Sequence, residues 1–328
     1  LKVATYIGGA LGIALLIVLI LHADVFAMVQ TLRTAGWDLL WILPYRAIYF
    51  LLYAAGWFVL LRPNDPGGRA GFGYLFWVTG VREAVDRLLP VASVGGSVVG
   101  IRLVRWRKIA TAAVSASVII EIVLTLVVSY IFTAIGLFLL VDVGSAREYR
   151  HLVIAFLLSL PIPLVTLALL RYGSVFGRLH KLVRPLVGST LSSEAAESLD
   201  RELRASLQRQ WRLLFAGATQ LLALIAGSFE IWFALRLFGH PVDAGAAIAL
   251  ESMTLAVRHL AFVVPAGLGV QEAGLVLFGH ALGINSELAL AVSMAKRLRE
   301  LAWGLPCLIS WQWQEGRRLQ FLREPRTN

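Results

Sequence analysis

Apolar positions in this chain come in long runs, not in the short alternations of a soluble fold. The runs are Val3–Leu21, Trp37–Leu61, Ile109–Leu140, His151–Leu170, Trp211–Leu237 and Ser286–Trp311. A helix needs about 20 apolar residues to cross a bilayer, so each run predicts a membrane span. The third would be about 48 Å long if helical throughout, which implies strong tilt or a projecting end. It has no charged, proline or glycine turn at its middle and predicts one helix. Two further stretches, Phe72–Arg102 and Ala244–Ile284, are apolar but interrupted. Each is long enough for a helical hairpin that enters the membrane and leaves by the same face. Irregular backbone at that depth is tolerated only where it is buried in protein or lines a wet cavity.

The two interruptions resemble each other. The first reads LLPVASVGGSVVG, with Pro90, Gly95 and Gly96; the second reads VVPAGLGVQEAG, with Pro265, Gly267, Gly269 and Glu272. Both are two aliphatics, a proline, a run of small residues and then an apolar helix. Both follow a charged helix, with Arg82, Glu83, Asp86 and Arg87 before the first and Glu251 and Arg258 before the second. One hairpin enters from each side, so the pattern predicts an inverted-topology repeat of residues 37–140 against 211–311. Such repeats place binding sites near the bilayer midplane, where broken helices expose backbone groups. Freed N–H groups at a helix start attract anions or hydroxyl oxygens. The expected architecture is an all-α integral membrane protein, a single polytopic domain over residues 1–328. It has about six spans, two re-entrant hairpins, an amphipathic cytoplasmic linker at 171–210 and a basic cytoplasmic tail at 312–328.

Composition removes the soluble alternative. Of the 328 residues, 58% are hydrophobic and 15% charged, against roughly 45–50% and about 25% in globular domains. The net charge of +10 predicts orientation more than nucleic-acid binding, because basic residues gather in cytoplasmic loops and no recognition motif accompanies them. With the N-terminus inside and both hairpins re-entrant, the cytoplasm receives Arg62, Arg69, the Arg102–Lys108 cluster, the basic segment from Arg171 to Arg212, and the tail. Treating the hairpins as single crossings would put the strongest basic cluster outside. Ser193 followed by Glu194 and Glu197 reads as a helix start. Leu199, Leu203 and Leu207 then mark an amphipathic helix, lying on the inner leaflet or docked on protein loops. Cys307 is the only cysteine and the six histidines are scattered, so no disulfide, metal or other cofactor is expected.

Ionisable groups at membrane depth face a partner or water. Arg82 with Asp86, and Glu83 with Arg87, stand at i,i+4 and can neutralise each other. Alternatively one arginine is released to grip a lipid phosphate or hydroxyl with its planar fork. Glu272 has no basic neighbour within a turn and needs a partner from another helix, with Arg258, Lys296 and Arg299 as the expected cations. Lys296, Arg299 and Glu300 share one face of the last span, whereas Arg297 lies off it. Glu121 and Glu230 are lone acids in spans and rank below the repeat residues. The candidate substrate-binding set is therefore Arg82, Arg87, Pro90, Gly95, Gly96, Glu251, Arg258, Pro265, Gly267, Gly269, Glu272, Lys296, Arg299 and Glu300, with no catalytic residue and no metal ligand.

The segments VREAVDRLLPVASVGGSVVGIRL, AVRHLAFVVPAGLGVQEAG and MAKRLRELAWGLP resemble the HpnL-type hopanoid-biosynthesis-associated membrane proteins. These belong to the wider group related to the flippase region of lysylphosphatidylglycerol synthases. The resemblance covers nearly the whole chain and implies a bacterial inner-membrane protein that moves or presents a lipid, with hopanoids as the implied cargo. Ser97 stands where many relatives carry an acid after the paired glycines, which leaves Glu272 without a symmetric counterpart. The resemblance does not extend to the aminoacyl-transfer domain of the synthases, so no lipid-aminoacylation chemistry is expected.

Together these readings predict a lipid flippase-like transport protein, not an enzyme, with both termini cytoplasmic. Its partners would be membrane lipids (hopanoid or anionic cargo), anionic lipids of the inner leaflet and lipid-biosynthesis enzymes, and no nucleic acid. Aminoacylated or polyprenyl-linked anionic lipids are the alternative cargo, and a non-transporting scaffold for lipid-synthesis enzymes is the alternative role. No nucleotide-binding G-x-x-x-x-G-K-[ST] motif occurs, so any driving force would be a gradient, a proton or metabolism of the cargo.

Overall fold

The computed structural model describes residues 30, 32–89, 95–143, 150–172, 193–261, 264 and 267–323. The expected span Val3–Leu21, both prolines of the interruptions (Pro90 and Pro265), residues 173–192 of the linker and the last five residues lie outside the described residues. Among the described residues the chain is helical, with no strand. In chain order the helices are α1 (Ile42–Leu61), α2 (Phe72–Leu88), α3 (Gly95–Arg105), α4 (Thr111–Val143), α5 (Arg150–Ser159), α6 (Pro161–Tyr172), α7 (Ser193–Leu207), α8 (Gln210–Leu237), α9 (Ala244–Leu260), α10 (Val270–Ala281) and α11 (Ser286–Arg323).

Four stretches among the described residues are helical, long and apolar enough to cross a membrane: Leu32–Asn64, Thr111–Val141, Arg150–Leu170 and Gln210–Leu237. The long third run is one helix, α4. Along Arg150–Leu170 the helix is interrupted at Leu160 and restarts at Pro161, where proline at a first helical position leaves no hydrogen bond unmade. The last predicted span is helical throughout within α11, but Lys296, Arg297, Arg299 and Glu300 interrupt its apolar character.

Both interrupted stretches fold as pairs of short helices packed antiparallel. Helix α2 ends where Leu89 turns extended (φ −103, ψ 147), as the residue before a proline prefers. Helix α3 then returns along α2: Gly96 lies against Asp86, Gly100 against Arg82, and Leu103 O accepts from the Tyr74 hydroxyl at 2.7 Å. In the second pair the chain leaves α9 through Gly267 (φ 62) and Gly269 (φ 73), left-handed conformations that favour glycine. Helix α10 then runs back, with Gly274 against Thr254.

The same packing pattern appears twice. Helix α1 packs on α2 as α8 does on α9, α2 on α3 as α9 on α10, and α3 on α4 as α10 on α11. Across the halves, α2 lies along α11 and α9 along α4, while α1 and α8 pack on each other at the centre. Small residues make these seams. A side chain at Gly80 would meet Cys307 Sγ at 2.9 Å, one at Gly304 would meet Leu88, and one at Gly136 would collide with Ser252. Helix α1 runs antiparallel to α8, since Gly56 faces Thr219 and Tyr45 donates to Ala226 O at 3.0 Å.

The amphipathic linker helix α7 docks on the bundle. Leu203 is buried, and Leu199 packs beside it, in a cluster with Leu60, Ile120 and Ala216. Asn64 donates to Glu202 at 2.7 Å, which ties α7 to the loop after α1. That loop belongs to a basic end of the molecule. Arg69 donates to Lys108 O at 3.0 Å, Arg318 lies over the Trp106 ring, and Arg102 pairs with Glu315. Both ends of the α2–α3 pair are therefore at this end. Both ends of the α9–α10 pair are at the other, where Gly245 adjoins Leu139 and Phe238 packs with Leu290 and Ala291.

A buried charge centre between two broken-helix pairs

The interior holds a connected ion-pair chain of four arginines and four glutamates. Arg46 on α1 reaches Glu83 (3.3 Å) and Glu230 (3.5 Å). Glu83 is also held by Arg87 at 3.0 Å, and Arg87 continues to Glu300 at 3.3 Å. Arg299 joins Glu230 at 2.7 Å and Glu300 at 3.6 Å. Arg297 joins Glu300 at 3.0 Å and Glu272 at 3.1 Å. Helices α1, α2, α8, α10 and α11 thus meet in a charge-neutral cluster. Removing one member of such a pair strands a buried charge, at a cost of about 3–5 kcal/mol. Two separate pairs flank the cluster: Lys296 with Glu251 at 2.5 Å and Arg82 with Glu121 at 2.7 Å.

Several expected pairings are replaced by others. Glu83–Arg87 forms along α2, but Arg82 does not turn to Asp86. It stacks on the Trp57 ring and extends to Glu121 on α4. Asp86 instead accepts from the Gly96 backbone N–H at 2.8 Å. The freed start of α3 is therefore occupied by the chain's own carboxylate. Gly96 permits this approach, because a side chain there would strike the Arg82 carbonyl and the Asp86 carboxylate.

Glu272 is fully buried and pairs with Arg297, the residue expected to point elsewhere, not with Arg258, Lys296 or Arg299. Ser293 donates to the same oxygen at 3.1 Å, while Oε2 accepts no hydrogen bond among the described residues. The reason is the rotation of α11, which presents Arg297 toward the start of α10 and sends Lys296 to Glu251 on α9.

A polar cavity of about 230 Å³ adjoins the cluster, lined among others by Tyr49, Tyr53, Asp86, Arg87, Arg258 and Gly267. Of its charged groups, the Arg258 guanidinium is unspent, whereas Asp86 is engaged by the Gly96 N–H. No described carboxylate lies within ion-pair distance of Arg258, and no described cation within that distance of Asp86. Gly267 supports the Arg258 stem, since a side chain there would come within 2.9 Å of its Cγ. Gly267 thus has two reasons to be glycine, its left-handed backbone and this contact.

Of the predicted site residues, Arg87, Glu272, Arg299 and Glu300 come together in the central cluster, while Glu251 and Lys296 pair beside it. Arg258 and Gly267 line the cavity, and Gly269 turns the chain into α10. Arg82 and Gly96 serve the packing of α3 on α2, and Gly95 is the first residue of α3. Three residues outside that set take part in the buried ion pairs: Arg46 and Glu230 in the central cluster, and Glu121 as the partner of Arg82. Arg46 stands alone among apolar residues of a predicted span, which itself marks a buried or functional group.

A helical membrane protein with a charge centre enclosed by two broken-helix pairs is the class that this fold and site define. The chain belongs to the family described as the lysylphosphatidylglycerol synthase TM region, whose model matches residues 6–305, nearly the whole length. No curated protein and no solved structure matches the chain. The family ties the protein to membrane-lipid function.

Proposed function

We propose that the protein is a flippase-like lipid transporter that moves or presents polar lipids between the leaflets of the bacterial inner membrane, and that it is not an enzyme. The polar cavity carries this reading. A lipid headgroup is the part of the molecule that cannot cross hydrocarbon unaided. Here a wet-sized, charge-lined space sits among helices able to span the bilayer. Arg258 offers a donor without any ion pair having to break first. Hopanoid-type cargo is implied by the sequence resemblance. The unspent guanidinium favours the alternative, a charged headgroup such as that of an aminoacylated or polyprenyl-linked anionic lipid.

The duplicated packing supports an inverted repeat of residues 37–140 and 211–311, with α2–α3 and α9–α10 as re-entrant pairs entering from opposite faces. The antiparallel crossing of α1 and α8 is what a two-fold axis in the membrane plane requires of equivalent helices. The gathering of Arg69, Arg102, Arg107, Lys108 and Arg318 at one end supports a cytoplasmic placement of that end. A mere scaffold for lipid-synthesis enzymes would have no use for a buried charge cluster beside a polar cavity.

Leaflet exchange in reconstituted vesicles tests the function, using headgroup-labelled phosphatidylglycerol, an aminoacylated lipid and a hopanoid analogue in parallel. Exchange of at least one above protein-free vesicles is expected. Exchange of none overturns the transport reading. Single cysteines at Gly68 and Lys108, in a Cys307→Ala background, should both resist an impermeant thiol reagent in intact spheroplasts. Labelling of only one would make the first pair a crossing segment.

A further inference from the structure

The central pair α1 and α8 is closed at one end and open at the other. At the basic end, Gly56 fits against Thr219 so closely that a side chain would come within 2.8 Å of the hydroxyl, with Ala216 beside it. Toward the opposite end the same two helices border a groove of about 620 Å³, walled by Trp41, Ile48, Phe229, Trp232 and Phe233. That volume lies in the range of roughly 300–1,000 Å³ typical of small-molecule sites. The walls are almost wholly apolar, with one carboxylate, that of Glu230. The groove is continuous with outward-facing apolar surface on the same spanning helices, including Leu40, Trp41, Ile48 and Leu51. In a bilayer that surface meets acyl chains.

Glu230 links this groove to the headgroup cavity. It is held by Arg299 at 2.7 Å and by Arg46 at the longer 3.5 Å. Arg46 bonds onward to Glu83 on the cavity wall, and its guanidinium lies 3.6 Å from the ring centre of Tyr49, also on that wall. One side chain thus joins the groove's wall to the wall of the polar cavity, and its bond to Glu230 is the longer of that carboxylate's two.

We propose that the groove between α1 and α8 binds an acyl chain of a bilayer lipid and that Arg46 is the bolt between this chain site and the headgroup cavity. With the Arg46–Glu230 bond open, a lipid keeps its chain in the groove and hydrocarbon while its headgroup enters beside Tyr49 and Arg258. Arg299 retains Glu230 and Arg87 retains Glu83, so neither acid is stranded while the bolt is open. The inference rests on the lipid reading above, but its test reads occupancy whether or not the lipid changes leaflet.

The test is photolabelling of the full-length protein in nanodiscs with a phosphatidylglycerol carrying a mid-chain diazirine, read by peptide mass spectrometry. Groove residues 41–48 and 229–233 should be labelled several-fold more than the exposed Leu157–Leu158 surface of α5. Ile48→Trp, which fills the groove, should remove that excess and leave the α5 label unchanged. Equal labelling of groove and α5 means annular lipid only and overturns the chain site. Label on residues 3–21 with none in the groove means the chain's own first apolar run fills it, and overturns it too. For the bolt, a probe with the diazirine next to the headgroup should label Tyr49 and Tyr53 more in Arg46→Lys than in the parent protein. Lysine keeps the charge but loses the fork that spans both acids. Unchanged Tyr49 and Tyr53 labelling in both Arg46→Lys and Arg46→Met removes Arg46 from the path.

Discussion

The two broken-helix pairs occupy equivalent places in the packing and carry opposite charge arrangements. In α2–α3 the helix start is latched: Asp86 caps Gly96, and Arg82 is committed to Glu121. In α9–α10 the acid sits on the returning helix as Glu272 and is tied to α11 through Arg297 and Ser293. Arg258 on the incoming helix has no described carboxylate within ion-pair distance. Both pairs turn the chain back between two short helices, so the break itself is scaffold, and the difference lies in which charge is left over. Under the proposed function, the first pair holds shape and the second meets the lipid.

Three substitutions break that contrast in order of decreasing effect on stability. Arg82→Met strands Glu121 in the interior and should cost about 3–5 kcal/mol, read as a fall in thermal midpoint in detergent. Adding Glu121→Gln should recover most of it, together with lipid exchange, because this pair is structural. Next, Glu272→Gln leaves Arg297 still paired with Glu300, so the loss should be smaller, about 1–3 kcal/mol, while exchange falls about tenfold or more. Combining it with Arg297→Met should restore stability without restoring exchange. A double variant that recovers both would make Glu272 a packing residue only. Asp86→Ala removes one charged cap, typically worth about 1 kcal/mol. It should show mainly as faster amide exchange at the start of α3, and equal protection of Gly96 in both proteins would remove the latch.

Much of this architecture is legible in the sequence because it rests on local rules. Runs of apolar residues mark α1, α4 and α8. The Leu88-Leu89-Pro90 and Val263-Val264-Pro265 signatures mark the breaks, and small residues mark the seams. The four-residue leucine spacing marks α7, although only packing shows that it docks on the bundle. Charge partners are not legible in the same way. The i,i+4 rule gives Glu83–Arg87 correctly but fails for Arg82, whose partner lies on another helix at Glu121. Glu272 finds Arg297 because of how α11 is rotated, and four ionisable residues in five positions cover too many faces to reveal that rotation. Arg46 is the instructive omission. A single arginine in an apolar span is as strong a signal as a proline, yet its two partners are 37 and 184 residues away.

On the proposed function, Arg258, the unspent cation of the second pair, receives the lipid headgroup. Arg258→Gln tests it most directly, with leaflet exchange of headgroup-labelled phosphatidylglycerol and thermal stability measured on one preparation of reconstituted protein. Because Arg258 holds no described carboxylate, the variant should unfold within about 1 kcal/mol of the parent, as substitutions away from buried pairs do. Exchange should fall about tenfold or more, and Arg258→Lys should recover part of it. Undiminished exchange in Arg258→Gln at unchanged stability would contradict the account.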